Sequence, residues 1–289
     1  MPPGATLRRL ADGFIWAEGP VWLPDEQALC FVDIKRGLLH RFEPASGARD
    51  TQVVGGSPSL VVRRAGGGLL VGSGHGIFAL SGDGLGEPVA IVDQPKHNRT
   101  NDGTVDAQSR LWFGTMDDDE TRPTGTVWCL DRGVLHHAGG EAVVTNGPAI
   151  SGDGCVLYHV DSGARTIWRH VLGPEPVLGP GEVFLRLGHG EGFPDGVVVD
   201  SEDCLWVALW DGWGVRRYAP DGRLLLHIPF PCARVTKLAF GGPDLTTAYV
   251  TTARVGLNED ALAEQPLAGS LFAFDAPVAG RVLPPVRLS

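Results

Sequence analysis

Four short polar stretches in this 289-residue chain carry residue types that bind hard cations. Glu18 stands before Gly19-Pro20, Asn146 before Gly147-Pro148, Asp195 between Pro194 and Gly196, and Asn101-Asp102 before Gly103. Taken singly, Asn or Asp beside Gly is ordinary β-turn chemistry. Glu18 is a poor turn former, however, and the same arrangement returns at matching points along the chain. Two carboxylates and an amide gathered in low-dielectric surroundings repel one another unless a cation neutralises them. Glu18, Asn146 and Asp195, completed by water, would suit one divalent cation, Ca²⁺, Mg²⁺ or Mn²⁺, and such a set also holds Fe²⁺ or Zn²⁺. A cation held this way polarises a carbonyl and activates water, with Asp195 a candidate for both ligand and general base. Asp102 reads as a turn or supporting residue.

These residues can meet only if distant segments share an axis, and a degenerate repeat supplies one. Six short apolar segments, at residues 29–34, 69–74, 111–116, 157–162, 205–210 and 248–253, start 40, 42, 46, 48 and 43 residues apart. Each follows a turn-rich step and an earlier apolar strand, which makes a hairpin. Each is followed by a third strand, at 38–42, 77–80, 126–130, 166–170, 215–218 and 270–274. A unit of three or four antiparallel strands recurring at this period is a propeller blade, and six units consume nearly the whole chain. The expectation is an all-β, six-bladed β-propeller forming a single domain over residues 1–289. Its first strands begin near residues 19, 60, 103, 147, 196 and 237, so the four polar stretches immediately precede four of them. Only residues 259–264 read as helical, too briefly to matter.

Composition narrows the function classes. A net charge of −10 argues against nonspecific attraction to nucleic acid or an anionic membrane. No apolar stretch reaches the length of a signal peptide core or a membrane span, so a cytoplasmic monomer is expected. The five cysteines, at 30, 129, 155, 204 and 232, are odd in number and never spaced as a zinc ribbon, and they read as buried apolar residues. His136, His137 and His189 read as solvated loop residues. Serine-hydrolase, zincin and nucleotide-loop motifs are missing from the sequence.

The stretches at 17–22, 98–106, 111–116, 145–148, 194–196 and 241–245 resemble the regucalcin, or senescence marker protein and gluconolactonase, family. Within it the chain is most similar to bacterial lactonases acting on pentonolactones such as xylonolactone. The resemblance implies a six-bladed propeller with metal ligands at Glu18, Asn146 and Asp195, where the repeat also places them. It implies substrate contacts at Arg99, Asn101 and an acidic residue within 117–120, taken as Glu120. The implied activity is hydrolysis of a small-molecule sugar lactone, a pentono- or hexonolactone such as xylono-, arabinono- or gluconolactone, to the aldonic acid in sugar oxidation. Trp210 or Trp213 is a candidate to stack on the sugar, although blade packing accounts for both better, since Trp is usually well buried. Thr100 replaces a proline common at this point in the family, which would loosen the loop. The rival readings are a noncatalytic metal-binding propeller and a broader ester or phosphotriester hydrolase on the same site.

Overall fold

Short β-branched and aromatic runs pair with their sequence neighbours across Gly, Pro and Asp turns, and the outcome is six antiparallel sheets of four strands each. The computed structural model describes residues 6–289. The six sheets are the blades of a propeller. The inner strands are Ala17–Leu23, Pro58–Arg63, Asn98–Val105, Thr145–Ile150, Phe193–Val199 and Val235–Gly241. They neighbour one another in a closed ring, the last beside the first. All six second strands and all six third strands lie where the repeat predicts them. Every blade has a fourth, outermost strand.

Burial follows position in the blade. The second strands, such as Ala28–Asp33 and Leu205–Trp210, are almost wholly buried because both faces pack on neighbouring sheets. An outermost strand such as Ala48–Val53 is exposed along most of its length and carries Arg49, Asp50 and Gln52, which blunt an edge that would otherwise invite pairing. Two blades share an internal lock: Trp112 Nε1 donates to Asp106 and Trp206 Nε1 to Asp200, each at 2.8 Å.

The ring closes through the N-terminal strand Arg8–Ala11, which supplies the outermost strand of the sixth blade beside Leu271–Asp275. After that sheet, residues 276–289 cross the end of the channel where the inner strands finish. Gly280 N donates to Leu245 O, Val286 N to Arg63 O and Arg287 N to Ser109 O. Val282 and Leu283 thereby line a cavity of about 60 Å³ at that end. The channel is left with one mouth, at the opposite end.

Several expectations are corrected. The polar stretches do not precede the inner strands but lie inside them, at a register irregularity present in all six. Gly19 (φ 55°) and Gly147 (φ 66°) adopt the left-handed conformation that makes this possible, so a Gly-Pro pair that reads as the start of a strand is a bulge. Thr100 does not loosen a loop. It is buried within a strand, and the N–H that proline would lack donates to Gly74 O at 2.7 Å. Cys155 is exposed, while the other four cysteines are buried. His136 and His137 sit on the outermost strand Val134–Ala142 rather than in a loop. Residues 259–264 do form a short helix, Glu259–Glu264. Residues 1–5 of the expected domain lie outside the described residues. No helix among the described residues is long and apolar enough to cross a membrane.

Candidate functional site

In four of the six inner strands the residue at this irregularity places a polar side chain in the wall of one pocket. Glu18, Asn101, Glu120, Asn146 and Asp195 line this pocket of about 230 Å³. Its walls include Trp16, Val144, Phe193 and Trp210. Trp16, Val144 and Phe193 each stand two residues before Glu18, Asn146 and Asp195. Alternate residues of a strand share a face, so the residue two positions earlier lies nearer the mouth. The same spacing relates Arg99 to Asn101. Sequence reading missed Trp16 and Phe193, although this two-residue offset, applied to all blades, would have found them.

Arg99 does not line the pocket. It is buried behind Asn101, where its Nε donates to Asp118 Oδ1 at 2.7 Å and its Nη1 to Asn101 Oδ1 at 2.8 Å. The acidic stretch thereby divides its labour. Asp117 caps its own loop through Thr121 and Arg122, Asp118 holds Arg99, and Glu120 reaches the pocket from a left-handed turn (φ 56°). Trp210 lines the pocket, whereas Trp213 does not and is 45% exposed.

A relay of side-chain hydrogen bonds continues from Asn101 across the blades. Asn101 Nδ2 donates to Asn146 Oδ1 at 2.8 Å, Asn146 Nδ2 to Ser162 Oγ at 2.9 Å, and Ser162 Oγ to Pro194 O at 2.6 Å. Asn146 is thus oriented with its carbonyl oxygen toward Asn101 and its amide nitrogen toward Ser162. Glu18 is buried, and one carboxylate oxygen accepts from Gly19 N at 2.7 Å. Asp195 is equally buried and accepts no hydrogen bond among the described residues. Burial, followed by the charge of Asp102, pushes Glu18 up to about 8. Burial, then the charges of Glu18, Asp102 and Glu120, pushes Asp195 well above the usual carboxylate range.

Two buried carboxylates, the charge of Glu18 raising Asp195 and Asp195 lacking a hydrogen-bond donor, form an anionic pocket whose conflict a divalent cation relieves. No group of three or more His, Cys, Asp or Glu suited to a metal occurs among the described residues. The candidate set here is two carboxylates and an amide, and that oxygen chemistry fits a hard divalent cation. Beside it, Lys237 pairs with Asp102, and Lys237 Nζ also donates to Gly103 O at 3.1 Å. Burial holds the Asp102 carboxyl above its usual range against the opposing pull of Lys237. The sequence offered no signal for this pair, whose members are 135 positions apart.

A family signature described as the SMP-30/Gluconolactonase/LRE-like region matches residues 16–254. The chain belongs to this family. Within it, the chain is 36% identical to a 6-deoxy-6-sulfogluconolactonase of Pseudomonas putida over 92% of this chain and 93% of that protein. It is 35% identical to a pentonolactonase of Haloferax volcanii, covering 91% and 92%. Among solved structures, the calcium-binding protein regucalcin of Agrobacterium tumefaciens superposes with a TM-score of 0.93 at 28% identity, covering 98% of each chain. The SMP-30/gluconolactonase membership agrees with the family resemblance carried by the motifs at 17–22, 98–106 and 194–196.

Proposed function

We propose that the protein is a sugar lactonase that opens an aldonolactone to its aldonic acid, using one divalent cation held by Glu18, Asn146 and Asp195. The observation that carries this reading is Asp195: a buried carboxylate at the pocket wall, without a hydrogen-bond donor, facing a second buried carboxylate. Relatives named as lactonases of glucono- and pentono-type substrates support it. When bound, the cation supplies Lewis-acid polarisation of the lactone carbonyl.

The chain's own residues do the remaining work. Asp195 accepts the proton of the attacking water as its oxygen adds to the carbonyl carbon. The ring C–O bond then breaks, and the alkoxide oxygen takes up a proton to give the hydroxy acid. Asn101, kept in place by Arg99, and Glu120, from a turn of the same blade, bind sugar hydroxyls. Trp16 and Trp210, whose ring centroids are 5.4 Å apart, present an apolar wall that excludes water and packs against the sugar ring.

A pH-indicator assay on a panel of pentono-, hexono- and sulfonated hexonolactones, alongside aryl esters and phosphotriesters, tests the reading. Turnover above spontaneous opening should vanish on chelation and in Asp195→Asn, and return with a restored cation. Lactone turnover that survives both treatments would remove this site from the reaction.

A further inference from the structure

The channel holds its charges in two tiers. Glu18 and Asp195 line the pocket at the mouth, while Asp102 and Lys237 line a second cavity, among Leu60, Val61, Val197 and Leu238. Side-chain exposure is 4% for Asp102 and 9% for Lys237, and Val282 and Leu283 of the C-terminal segment line the same cavity. Glu18, Asp195 and Asp102 are thus three buried carboxylates beside one buried ammonium. Their sum is two negative charges, which a single divalent cation cancels. Asp102 Oδ2 is buried without a hydrogen-bond partner, so Lys237 is the cation that holds this carboxylate. Asn101 and Asp102, adjacent in one bulge, point to opposite tiers: the first into the pocket, the second to Lys237.

We infer that the Asp102–Lys237 pair is a charge-balancing element beside the cation site, in which the carboxylate strengthens and the ammonium weakens the hold on a divalent cation by similar amounts. Asp102 deepens the negative potential of the pocket, and Lys237 offsets it while keeping that carboxylate out of the cation's coordination. The pair acts through Glu18 and Asp195 and touches no substrate, so its members are positioning residues. This inference rests on the reading that Glu18, Asn146 and Asp195 hold the cation.

Its signature is the sign of each substitution. Asp102→Asn leaves an uncompensated ammonium beside the pocket, and cation affinity should fall tenfold or more. Lys237→Met removes the offsetting charge, and affinity should exceed that of the wild type. The double variant Asp102→Asn/Lys237→Met is neutral in the lower tier and should return to within about threefold of the wild type. It also removes both buried charges together, so it folds where a single variant would not.

Calorimetric titration of chelator-treated protein with Ca²⁺, Mn²⁺ and Zn²⁺ separately reads these affinities, and thermal melts confirm that each variant is folded. A wild type that binds none of the three cations fails the site reading itself. A wild type that binds, with Asp102→Asn unaltered or the double variant as weak as Asp102→Asn, overturns the charge-balancing role alone. Should Asp102→Asn not fold, the double variant decides: recovery to near wild-type affinity supports the inference, and tenfold loss refutes it.

Discussion

Asn101 Nδ2 donates to Asn146 Oδ1 at 2.8 Å, joining a proposed substrate contact on the third blade to a proposed cation ligand on the fourth. The bond holds the carbonyl end of the Asn146 amide toward Asn101, with Ser162 holding the other end. It also makes the two functions inseparable. Asn101→Ala would remove one of the partners of the Arg99 guanidinium and free Asn146 to rotate, costing about 1–3 kcal/mol of stability. Turnover should fall by roughly a hundredfold from misplaced groups, with a parallel loss of cation affinity. Asn101→Asp is the control: it keeps a partner for Arg99 yet cannot donate to Asn146. If titration calorimetry finds cation affinity unchanged in Asn101→Asp, the bond does not orient the ligand.

The role proposed for Asp195 comes at a cost in stability. With burial and three neighbouring carboxylates raising it, its ionised form is unfavourable in the cation-free protein. Asparagine has nearly the same shape and no charge. In chelator, Asp195→Asn should therefore melt higher than the wild type, by roughly 2–6 °C for a gain of about 1–2 kcal/mol in a chain of this size. Added cation should raise the wild-type melting temperature far more than the variant's. Differential scanning calorimetry with and without chelator reads both effects, and a variant that melts lower than the wild type in chelator would show that the carboxylate is stabilising.

What the sequence disclosed depended on repetition. Segments such as 111–116 and 205–210 announce their blades because strand, turn and strand recur at one period, and the register across repeats brought Glu18, Asn146 and Asp195 to one place. The closing strand Arg8–Ala11 repeats nothing: four residues pair with Leu271–Asp275 at the far end of the chain, and no local pattern announces that partner. Nor could spacing show that Arg99 pairs with Asp118, or that Lys237 meets Asp102, since both depend on which way a side chain leaves a bulge. The bulge itself leaves no mark of its own, because Gly-Pro suits a strand's start and a turn as well as a bulge, so the strands extend further back than the spacing places them.

His159 should make the propeller acid-sensitive. It lies on the second strand of the fourth blade, 2% exposed, and burial followed by the nearby His170 lowers it from the ordinary imidazole value to about 3. Its ring centroid is 6.1 Å from that of His170. The folded protein keeps this ring neutral where the unfolded chain would protonate it. Stability is full above pH ~6.5, the unfolded value, and is lost as pH falls from there toward 3. By pH 5 the loss from this residue should be about 2 kcal/mol. His40, lowered to about 4 chiefly by burial, acts in the same direction. Urea unfolding at pH 7.5 and pH 5 checks the slope, and His159→Leu should make it shallower; an unchanged slope would mean that His159 is protonated in the folded state.

Ring closure should depend on backbone pairing rather than on the visible ion pair. Arg8 donates to both oxygens of Asp275, at 3.1 and 2.7 Å, but both side chains are substantially exposed and the strand is only four residues long. An exposed pair of this kind contributes at most about 1 kcal/mol, screened further by salt. Arg8→Ala should therefore shift the urea midpoint only slightly, and less still in high salt. Deleting residues 1–11 removes every hydrogen bond that this strand makes to Leu271–Asp275 and uncovers Phe272, which is 2% exposed in the intact protein. The sixth blade then ends in an open edge of apolar residues, so the truncated protein should lose several kcal/mol and aggregate on mild heating. The expected order in equilibrium unfolding is wild type close to Arg8→Ala, with the deletion well below both. A deletion variant as stable as the wild type would mean that the remaining three strands close the ring without it.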